Sequence, residues 1–299
     1  MSRGNKQFSK QLVTLARQSD GSFKTVADRS RIAARLAEQM LKLNIQIRDV
    51  NHIKTHHIKH YVRSRLAEDI SKRTLQNEMA ALRAILTTAG RTKLADPKHE
   101  KLSNDALNLS GASRAGSKTA ITDERFNEAI ALVRIKDEGV ALAMEIARYL
   151  GLRTEEAVQS AKSVKTWQQA LARGDERLRV VFSTRGGRPR DTTVVRREEL
   201  VRTLNTGITY ASEHGGKLVD KTGLRSAIDR YRNVAKDTGL SGKEAPHSLR
   251  YAYSREATEW HMKNGLSKKE AEAMVSMDLG HGDWRGLYVR KVYLLSGAD

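Results

Sequence analysis

The 299-residue sequence contains no cysteine and only three prolines. The absence of cysteine excludes disulfide bonds, cysteine-based zinc sites and thiol nucleophiles, and it fits a reducing compartment. Aromatic residues make up only 5% of the chain, and no apolar run approaches the roughly 18 residues that a membrane span needs. The first residues also lack the apolar stretch of a signal peptide. We therefore expect a cytoplasmic protein with no membrane partner.

Positive charge is what the sequence has in excess. It carries 54 Lys and Arg against 35 Asp and Glu, a formal net charge of +19, and the first hundred residues hold more than half of it. Such a chain is drawn to polyanions, of which nucleic acid is the commonest in a cell. A membrane surface and a merely soluble basic protein are the alternatives.

Apolar periodicity divides the chain into two domains. Residues 1–105 are predicted to be helical, because apolar residues recur there every three to four positions while the opposite faces carry Lys and Arg. The predicted helices lie at about 26–43, 55–68 and 72–88. Residues 106–119 lose this pattern and are rich in Ser, Gly and Ala, which predicts a linker. A second domain, 120–299, follows.

The second domain is predicted to be mostly helical with one small antiparallel sheet. The runs LRVVFS (178–183) and DTTVV (191–195) are apolar or β-branched. Between them Gly186 and Gly187 can supply a turn, so the segment is typical of a β-hairpin. The fold class that we expect is therefore mainly α.

Four short segments hold residues suited to chemistry on a phosphate. They are GLRTEE (151–156), STRGGRPR (183–190), HSLR (247–250) and LGHGDWRGLYVRKVY (279–293). Each segment is common by itself. Their order, the hairpin between the first and third, and the C-terminal tyrosines are much more specific in combination.

In this combination the segments resemble those of the tyrosine recombinase (phage integrase) family. That family has an Arg in a G-L-R-x-x-E setting, a Lys in a β-hairpin, H-x-x-R, L-G-H and a nucleophilic Tyr near the end of the chain. The resemblance spans the second domain, which it implies is catalytic. The helical first domain resembles, less specifically, the family's SAM-like core-binding domain.

The residue types fit this chemistry. Attack on a phosphodiester develops negative charge on oxygen, and guanidinium groups grip such oxygens in bidentate fashion. Arg153 and Arg250 are the candidates for that clamp, and His281 would add a further donor. His247 could accept the proton of the tyrosine or orient the site, because imidazole titrates near neutral pH. The resemblance implies that Glu156 holds its neighbours in place.

Two departures from the family pattern concern the catalytic residues. The hairpin Lys, held to protonate the leaving 5′ oxygen, falls at Arg185, and a guanidinium gives up a proton poorly; Lys217 is a weak alternative. The nucleophile is either Tyr293, which we favour, or Tyr288. Five residues on an α-helix correspond to about 140° of rotation, so we expect that both cannot face one phosphate.

A histidine-rich segment in the first domain is a separate candidate. His56, His57 and His60 lie close together in sequence, but no cysteine or paired carboxylate accompanies them, so the set of metal ligands is incomplete. We expect these side chains to be solvated or to face DNA, and we expect no metal site.

The resemblance implies a site-specific recombinase that forms a covalent 3′-phosphotyrosyl intermediate without a cofactor. Its expected partner is double-stranded DNA with attachment sites, bound by four protomers through a Holliday junction; the state off DNA could be a monomer. We expect integration or excision of a mobile element or prophage in a bacterial cell, at the nucleoid, with accessory DNA-bending proteins an open question. A weak or inactive DNA-binding relative and a type IB topoisomerase-like enzyme are the alternatives.

Overall fold

The computed structural model describes residues 3–113 and 115–295, with side chains from Lys6 onward. Within these residues the protein is mainly helical, with a single two-stranded antiparallel sheet, and this confirms the predicted fold class. The chain divides into two compact units, residues 1–113 and 114–299. No helix in the described part of the chain is long and apolar enough to cross a membrane.

The first unit is a helical bundle around its own apolar core. Its helices are α1 Arg3–Gln18, α2 Phe23–Lys42, α3 Thr55–Ala67, α4 Lys72–Thr88 and α5 Thr92–Ala95. Helices α2, α3 and α4 lie at the predicted segments, whereas α1 was not predicted. Phe8, Leu12 and Ala16 recur every four residues along α1 and are buried, so this helix closes the same core.

One buried carboxylate joins three helices of this unit. Glu78 on α4 accepts hydrogen bonds from Tyr61 Oη at 2.6 Å, Arg65 Nη2 at 3.1 Å and Arg35 Nη1 at 3.0 Å. Burial raises the pKa of the Glu78 carboxyl, but hydrogen bonds and charge from Arg65 outweigh burial, and the pKa is lowered. Because a buried charge is costly unless it is paired, these bonds fix how α2, α3 and α4 pack.

Part of the predicted linker belongs to the first unit. Leu107 and Leu109 are buried in its core, and the turns around them are closed by backbone bonds such as Leu109 N to Asn104 O, 2.7 Å. These leucines lack helical spacing, so periodicity could not reveal their burial. The division into compact units consequently comes after residue 113, later than the expected end of the first domain.

The second unit is built around helix α7, Glu138–Leu150, in which ten of thirteen residues are buried. Its neighbours along the chain are α6 Asp123–Lys136, α8 Thr154–Val158, α9 Val164–Ala172, β1 Arg177–Val180, β2 Arg190–Thr193, α10 Arg197–Glu213, α11 Leu224–Asp237, α12 His247–Lys263, α13 Lys268–Asp278 and α14 Gly286–Val289. A π-helical turn, Arg290–Leu294, follows α14. The central helix ends where the first candidate segment begins.

The predicted hairpin is confirmed. Strands β1 and β2 pair antiparallel, with Val180 opposite Arg190 and Leu178 opposite Thr192. Gly186 and Gly187 lie in the connecting loop with φ of +70° and +69°, a backbone region that glycine enters at little cost. The chain thereby reverses direction between β1 and β2.

Two helical glycines of this unit test how tightly α7 is packed. A Cβ on Gly139 would lie 1.9 Å from the carbonyl oxygen of Leu218, whereas a Cβ on Gly207 would meet its nearest neighbour at 3.7 Å. We expect Gly139→Ala to lower the free energy of unfolding by about 1–3 kcal/mol through overpacking. Gly207→Ala should be neutral or stabilising, because alanine favours the helix. Urea denaturation of both variants measures this, and equal effects would contradict the packing.

Candidate active site

Arg153 is presented at the start of α8 by the turn that ends α7. Gly151 makes that turn with φ +58°, and a Cβ there would lie 2.4 Å from the Tyr253 ring. The backbone N of Arg153 donates to Glu156 Oε2 at 2.8 Å, and Nη1 donates to Oε1 at 2.7 Å. Nη2 donates to the carbonyl oxygen of Leu279 at 3.0 Å. The guanidinium is thus fixed through both terminal nitrogens.

Arg250 meets Arg153 at a shared acceptor. It lies in the first turn of α12 and is fully buried. Its two terminal nitrogens donate to the carbonyl oxygens of Gly151 and Leu279. Because Leu279 also accepts from Arg153, one carbonyl oxygen joins the two guanidinium groups that the sequence analysis expected to act as a pair.

Glu156 is the carboxylate between these cations. It is 1% exposed, and burial alone would raise the pKa of its carboxyl. The charges of Arg190, Arg250 and Arg153 outweigh burial, and the pKa is lowered to about 2. Glu156 is therefore ionised at neutral pH and is an acceptor for Arg153; the holding role that the resemblance implies for it stays a prediction.

Tyr293 is placed against the arginine pair. It is 2% exposed, its Oη lies 3.0 Å from His281 Nε2, and it accepts from Arg250 Nε at 3.5 Å. Because a guanidinium can only donate, the phenol oxygen acts as acceptor there, and its hydroxyl proton is available to His281 in the tautomer whose Nε2 carries no hydrogen. Desolvation, followed by the charges of Arg250 and Arg153, lowers the pKa of His281 to about 3, so this imidazole is neutral at pH 7.

Tyr288 and Tyr293 both lie beside His281, and the expectation that they cannot both face one phosphate stays a prediction. The chain is α-helical over Gly286–Val289 and widens into a π-helical turn over Arg290–Leu294. A π-turn holds more residues than an α-turn, which brings residues five apart towards the same side. The ring centroids of Tyr288 and Tyr293 lie 4.9 and 5.7 Å from that of His281. The hydrogen bond at 3.0 Å comes from Tyr293.

His247 lies at the edge of this group. It begins α12 and reaches solvent, and its ring centroid is 6.1 Å from that of Tyr293. Desolvation by the surrounding protein, followed by the charges of Arg250 and Arg153, lowers the pKa of His247 to about 4. The sequence analysis allowed His247 either to accept the tyrosine proton or to orient the site; in the structure the imidazole that is hydrogen-bonded to Tyr293 is that of His281.

A cavity of about 630 Å³ opens beside the arginine pair, and Arg153, Arg185 and His281 line it. Arg185 is exposed on the hairpin loop. Arg185, which stands at the position of the family's hairpin lysine, therefore lines the same cavity as Arg153. A concave surface of positive charge attracts phosphate. Lys217, the alternative for the missing lysine, lines a different cavity and is not brought to this one.

Arg190 was quoted within a candidate segment but was given no role. It is 6% exposed, lines the same cavity, and donates from Nη2 to Glu156 Oε2 at 2.9 Å. Strand alternation puts Arg190 on one face with Thr192, and that face is buried. The alternation of residues along β2 could have shown that Arg190 and Thr192 share a face. It could not show that this face is buried, because burial depends on how the hairpin packs against the helices.

Tyr251 and Gly116 pack against the π-helical turn that contains Tyr293. The Tyr251 ring packs edge-on against the Tyr293 ring, with centroids 4.6 Å apart. A Cβ on Gly116 would lie 1.9 Å from the carbonyl oxygen of Val292 and 2.6 Å from Tyr251 Oη. The segment that opens the second unit therefore packs directly on the π-helical turn, a contact that sequence reasoning missed.

The histidine-rich segment lies in the first unit. His57 Nδ1 accepts from the backbone N of Lys54 at 3.1 Å, so this side chain helps to cap α3. Across the residues that the structure describes, no group of three or more His, Cys, Asp or Glu side chains is arranged to hold a metal ion.

Two family models match the chain. The model described as "Phage integrase, N-terminal" matches residues 5–95, and the model described as "Integrase" matches residues 108–256. The second match ends before the segment that contains His281 and Tyr293. A comparison with curated proteins found no match.

Solved structures of integrases share the fold. The Tn1549 transposon integrase in complex with transposon right-end DNA has a TM-score of 0.58 at 13% identity, covering 95% of this chain and 93% of that one. The XerH recombinase bound to a palindromic difH substrate has a TM-score of 0.57 at 14% identity, with 94% and 80% covered. A lambda integrase tetramer bound to a Holliday junction has 0.55 at 14%, with 95% and 76% covered.

The helical fold with its small hairpin is the fold of the integrase structures named above. On the two family models and this fold, the chain belongs to the phage integrase, or tyrosine recombinase, family.

The lowered pKa values of the two histidines make stability depend on pH. Above the ordinary value of 6.5 neither the folded nor the unfolded chain binds a proton at His247 or His281; below it the unfolded chain binds first, because the folded pKa values are about 4 and about 3. We expect the free energy of unfolding to fall between pH 6.5 and pH 4. Urea titrations should show a shallower fall for His281→Asn. An unchanged slope would show that His281 is not held neutral.

Proposed function

We propose that the chain is a site-specific DNA recombinase that cleaves and rejoins DNA through a covalent 3′-phosphotyrosyl intermediate. The observation that carries the proposal is the position of Tyr293, whose hydroxyl lies 3.0 Å from His281 Nε2 and 3.5 Å from Arg250 Nε. A nucleophile next to a base, beside fixed donors for the reacting phosphate, is the arrangement that covalent phosphoryl transfer requires.

Arg153 and Arg250 hold the scissile phosphate in this proposal. Attack on phosphorus develops negative charge on the non-bridging oxygens, and guanidinium groups that stay charged stabilise it. The carbonyl oxygen of Leu279 accepts from both side chains, so the pair is oriented before DNA arrives. Removal of one preorganised donor typically costs on the order of 100- to 1000-fold in rate.

His281 accepts the proton that Tyr293 loses on attack. It is neutral in the DNA-free protein because its pKa is about 3. A bound phosphate brings negative charge that offsets Arg153 and Arg250, which moves the pKa of His281 back towards its ordinary range. The protonated imidazole then donates to the phosphate, so that acceptor and donor roles follow one another.

The covalent link explains how the strand can be rejoined. Tyr293 Oη forms a bond to phosphorus as the bond from phosphorus to the 5′ oxygen breaks, and the leaving oxygen takes up a proton from solvent. One phosphodiester replaces another, so the energy of the broken bond is retained. A 5′ hydroxyl of a partner strand can then reverse the step without ATP.

Double-stranded DNA is the proposed partner. The net charge of +19 supplies salt-sensitive phosphate contacts, and the similar structures named above were solved with DNA. We propose that the first unit acts as a core-binding domain and that four protomers act on two attachment sites of a mobile element or prophage. The setting would be the nucleoid of a bacterial cytoplasm.

A DNA-binding relative without cleavage activity is the second candidate. Arg185 favours it, because this residue stands where the family has the lysine that protonates the leaving oxygen, and a guanidinium gives up a proton poorly. Arg185 lines the cavity beside Arg153 and His281, so in the active case it would stabilise charge and the proton would come from elsewhere.

The nucleophile can be identified by trapping the intermediate. We expect the protein, incubated with nicked duplex DNA carrying the junction sequences that flank its gene, to form an adduct that survives denaturant. Tyr293→Phe should abolish the adduct, because it removes the hydroxyl that lies beside His281 and Arg250. Tyr288→Phe should retain it. Denaturing electrophoresis of labelled DNA measures both.

The other outcomes are equally informative. Loss of the adduct in Tyr288→Phe alone would keep the function and overturn the assignment of the nucleophile. Tight binding of the same DNA by the unaltered protein, with no adduct, would favour the DNA-binding relative.

The role of Arg185 can be tested with a leaving group that needs no proton. We expect Arg185→Lys to cleave ordinary DNA faster, by up to about 100-fold, because an ammonium can act as a general acid. DNA with sulfur in place of the leaving 5′ oxygen should be cleaved equally by both proteins. Arg179→Lys, on the exposed face of β1, is the control. An equal gain on both substrates would exclude proton donation at this position.

A further inference from the structure

We propose that Arg190 is a positioning residue that sets the geometry and the charge of the phosphate clamp formed by Arg153 and Arg250. The inference rests on the proposed function and adds a third arginine to it. Arg190 reaches the site from β2, whereas Arg153 starts α8 and Arg250 lies on α12. The three come from distant parts of the chain and meet through shared acceptors.

The shared acceptors form a closed ring. Glu156 accepts from Arg153 at 2.7 Å and from Arg190 at 2.9 Å. The carbonyl oxygen of Gly151 accepts from Arg190 at 3.4 Å and also from Arg250.

The carbonyl oxygen of Leu279 accepts from Arg250 and, at 3.0 Å, from Arg153, which completes the circuit. Each pair of arginines therefore shares one acceptor, which is Glu156, the carbonyl oxygen of Gly151 or the carbonyl oxygen of Leu279. Removing Arg190 leaves Arg153 and Arg250 joined only through the carbonyl oxygen of Leu279, because the second path between them, through Glu156, Arg190 and Gly151, is lost.

Arg190 cannot be replaced by a simple positive charge in this ring. Its Nη2 donates to Glu156 and Gly151, while Nη1 donates to the carbonyl oxygen of Asp278. A planar guanidinium can serve such divergent acceptors at once, whereas an ammonium on a flexible stem acts as a point charge. The side chain thereby ties α8 to the end of α13, just before His281.

The chain folds closely over this side chain at Gly280. A Cβ on Gly280 would lie 2.7 Å from Arg190 Cδ, and the residue has φ +63°. The glycine of the L-G-H segment is thus required by the passage of Arg190 beneath it. The position of His281 depends on the same contact, because His281 is the next residue.

Arg190 also sets the charge available to a phosphate. Glu156 is the carboxylate that contacts Arg153 and Arg190. With Arg190 present, one negative charge faces three positive charges, so Arg153 and Arg250 retain a net attraction for an anion. Without it, Glu156 would offset the clamp itself.

The test compares Arg190→Lys with Arg148→Lys. Arg148 is also buried, at 2% exposure against 6% for Arg190, but its partners are Glu256 and Asp123, outside the ring. We expect Arg190→Lys to slow adduct formation on the nicked DNA by about 100-fold, the size of effect that a misplacement of about 1 Å causes, with little change in the Kd for that DNA. Arg148→Lys should lower thermal stability and leave the adduct rate of the folded protein near that of the unaltered chain.

A second pair covers the case in which Arg190→Lys does not fold. Gly280→Ala pushes on Arg190, whereas a Cβ on Gly282, with φ +87°, meets nothing within 4 Å. Both variants carry the cost of an unfavourable backbone, so a larger loss of adduct rate in Gly280→Ala isolates the contact with Arg190. Equal losses in this pair would count against the proposal.

A measurement without DNA separates this inference from the proposed function. We expect hydrogen exchange at the side-chain Nε–H of Arg153 and Arg250, followed by NMR, to quicken in Arg190→Lys and not in Arg148→Lys. If the unaltered protein forms no adduct, the proposed function fails, and the exchange rates still decide the role of Arg190. Unchanged exchange, or an adduct rate in Arg190→Lys equal to that of the unaltered protein, would overturn the positioning role.

Discussion

Three guanidinium groups meet around one buried carboxylate, and the need to satisfy these charges away from water shapes the second unit. Burying an ion costs several kcal/mol unless good geometry and further hydrogen bonds compensate. Glu156 supplies the charge, while the carbonyl oxygens of Gly151, Leu279 and Asp278 act as further acceptors. The end of α7 and the end of α13 must therefore meet at one point, and the glycine turn at Gly151 lets the chain do so.

The cluster carries more positive than negative charge, and this excess can attract an anion. Two positive charges remain after Glu156 is paired, and a hydrogen-bonded tyrosine lies against them: Tyr293 contacts Arg250 and His281 in the protein without DNA. Burial, together with the same positive charge that would receive a phosphate, lowers the pKa of His281 and keeps it neutral. In the proposed function, a bound phosphate would offset this positive charge and raise the pKa of His281, so that binding of DNA would favour transfer of the Tyr293 proton.

Local features of the fold follow from local features of the sequence. Helix α4 was predicted at its observed bounds, Lys72–Thr88, because apolar spacing and flanking polar residues specify a helix without reference to the rest of the chain. The hairpin followed in the same way from β-branched runs around Gly186 and Gly187. The residues Arg153, Arg250 and His281 were identified from ordered segments, and the structure brings them together.

By itself the sequence determined the fold class, the hairpin and most of the candidate site, since these depend on residue type, short-range periodicity and motif order. Tertiary structure decided the rest. The inward direction of Arg190 depends on which face of the hairpin is packed, the burial of Leu107 depends on a core built from distant helices, and the approach of Tyr288 and Tyr293 to one imidazole depends on a π-turn. Each of these features is set by contacts between residues far apart in the chain, and a local sequence pattern carries no information about such contacts.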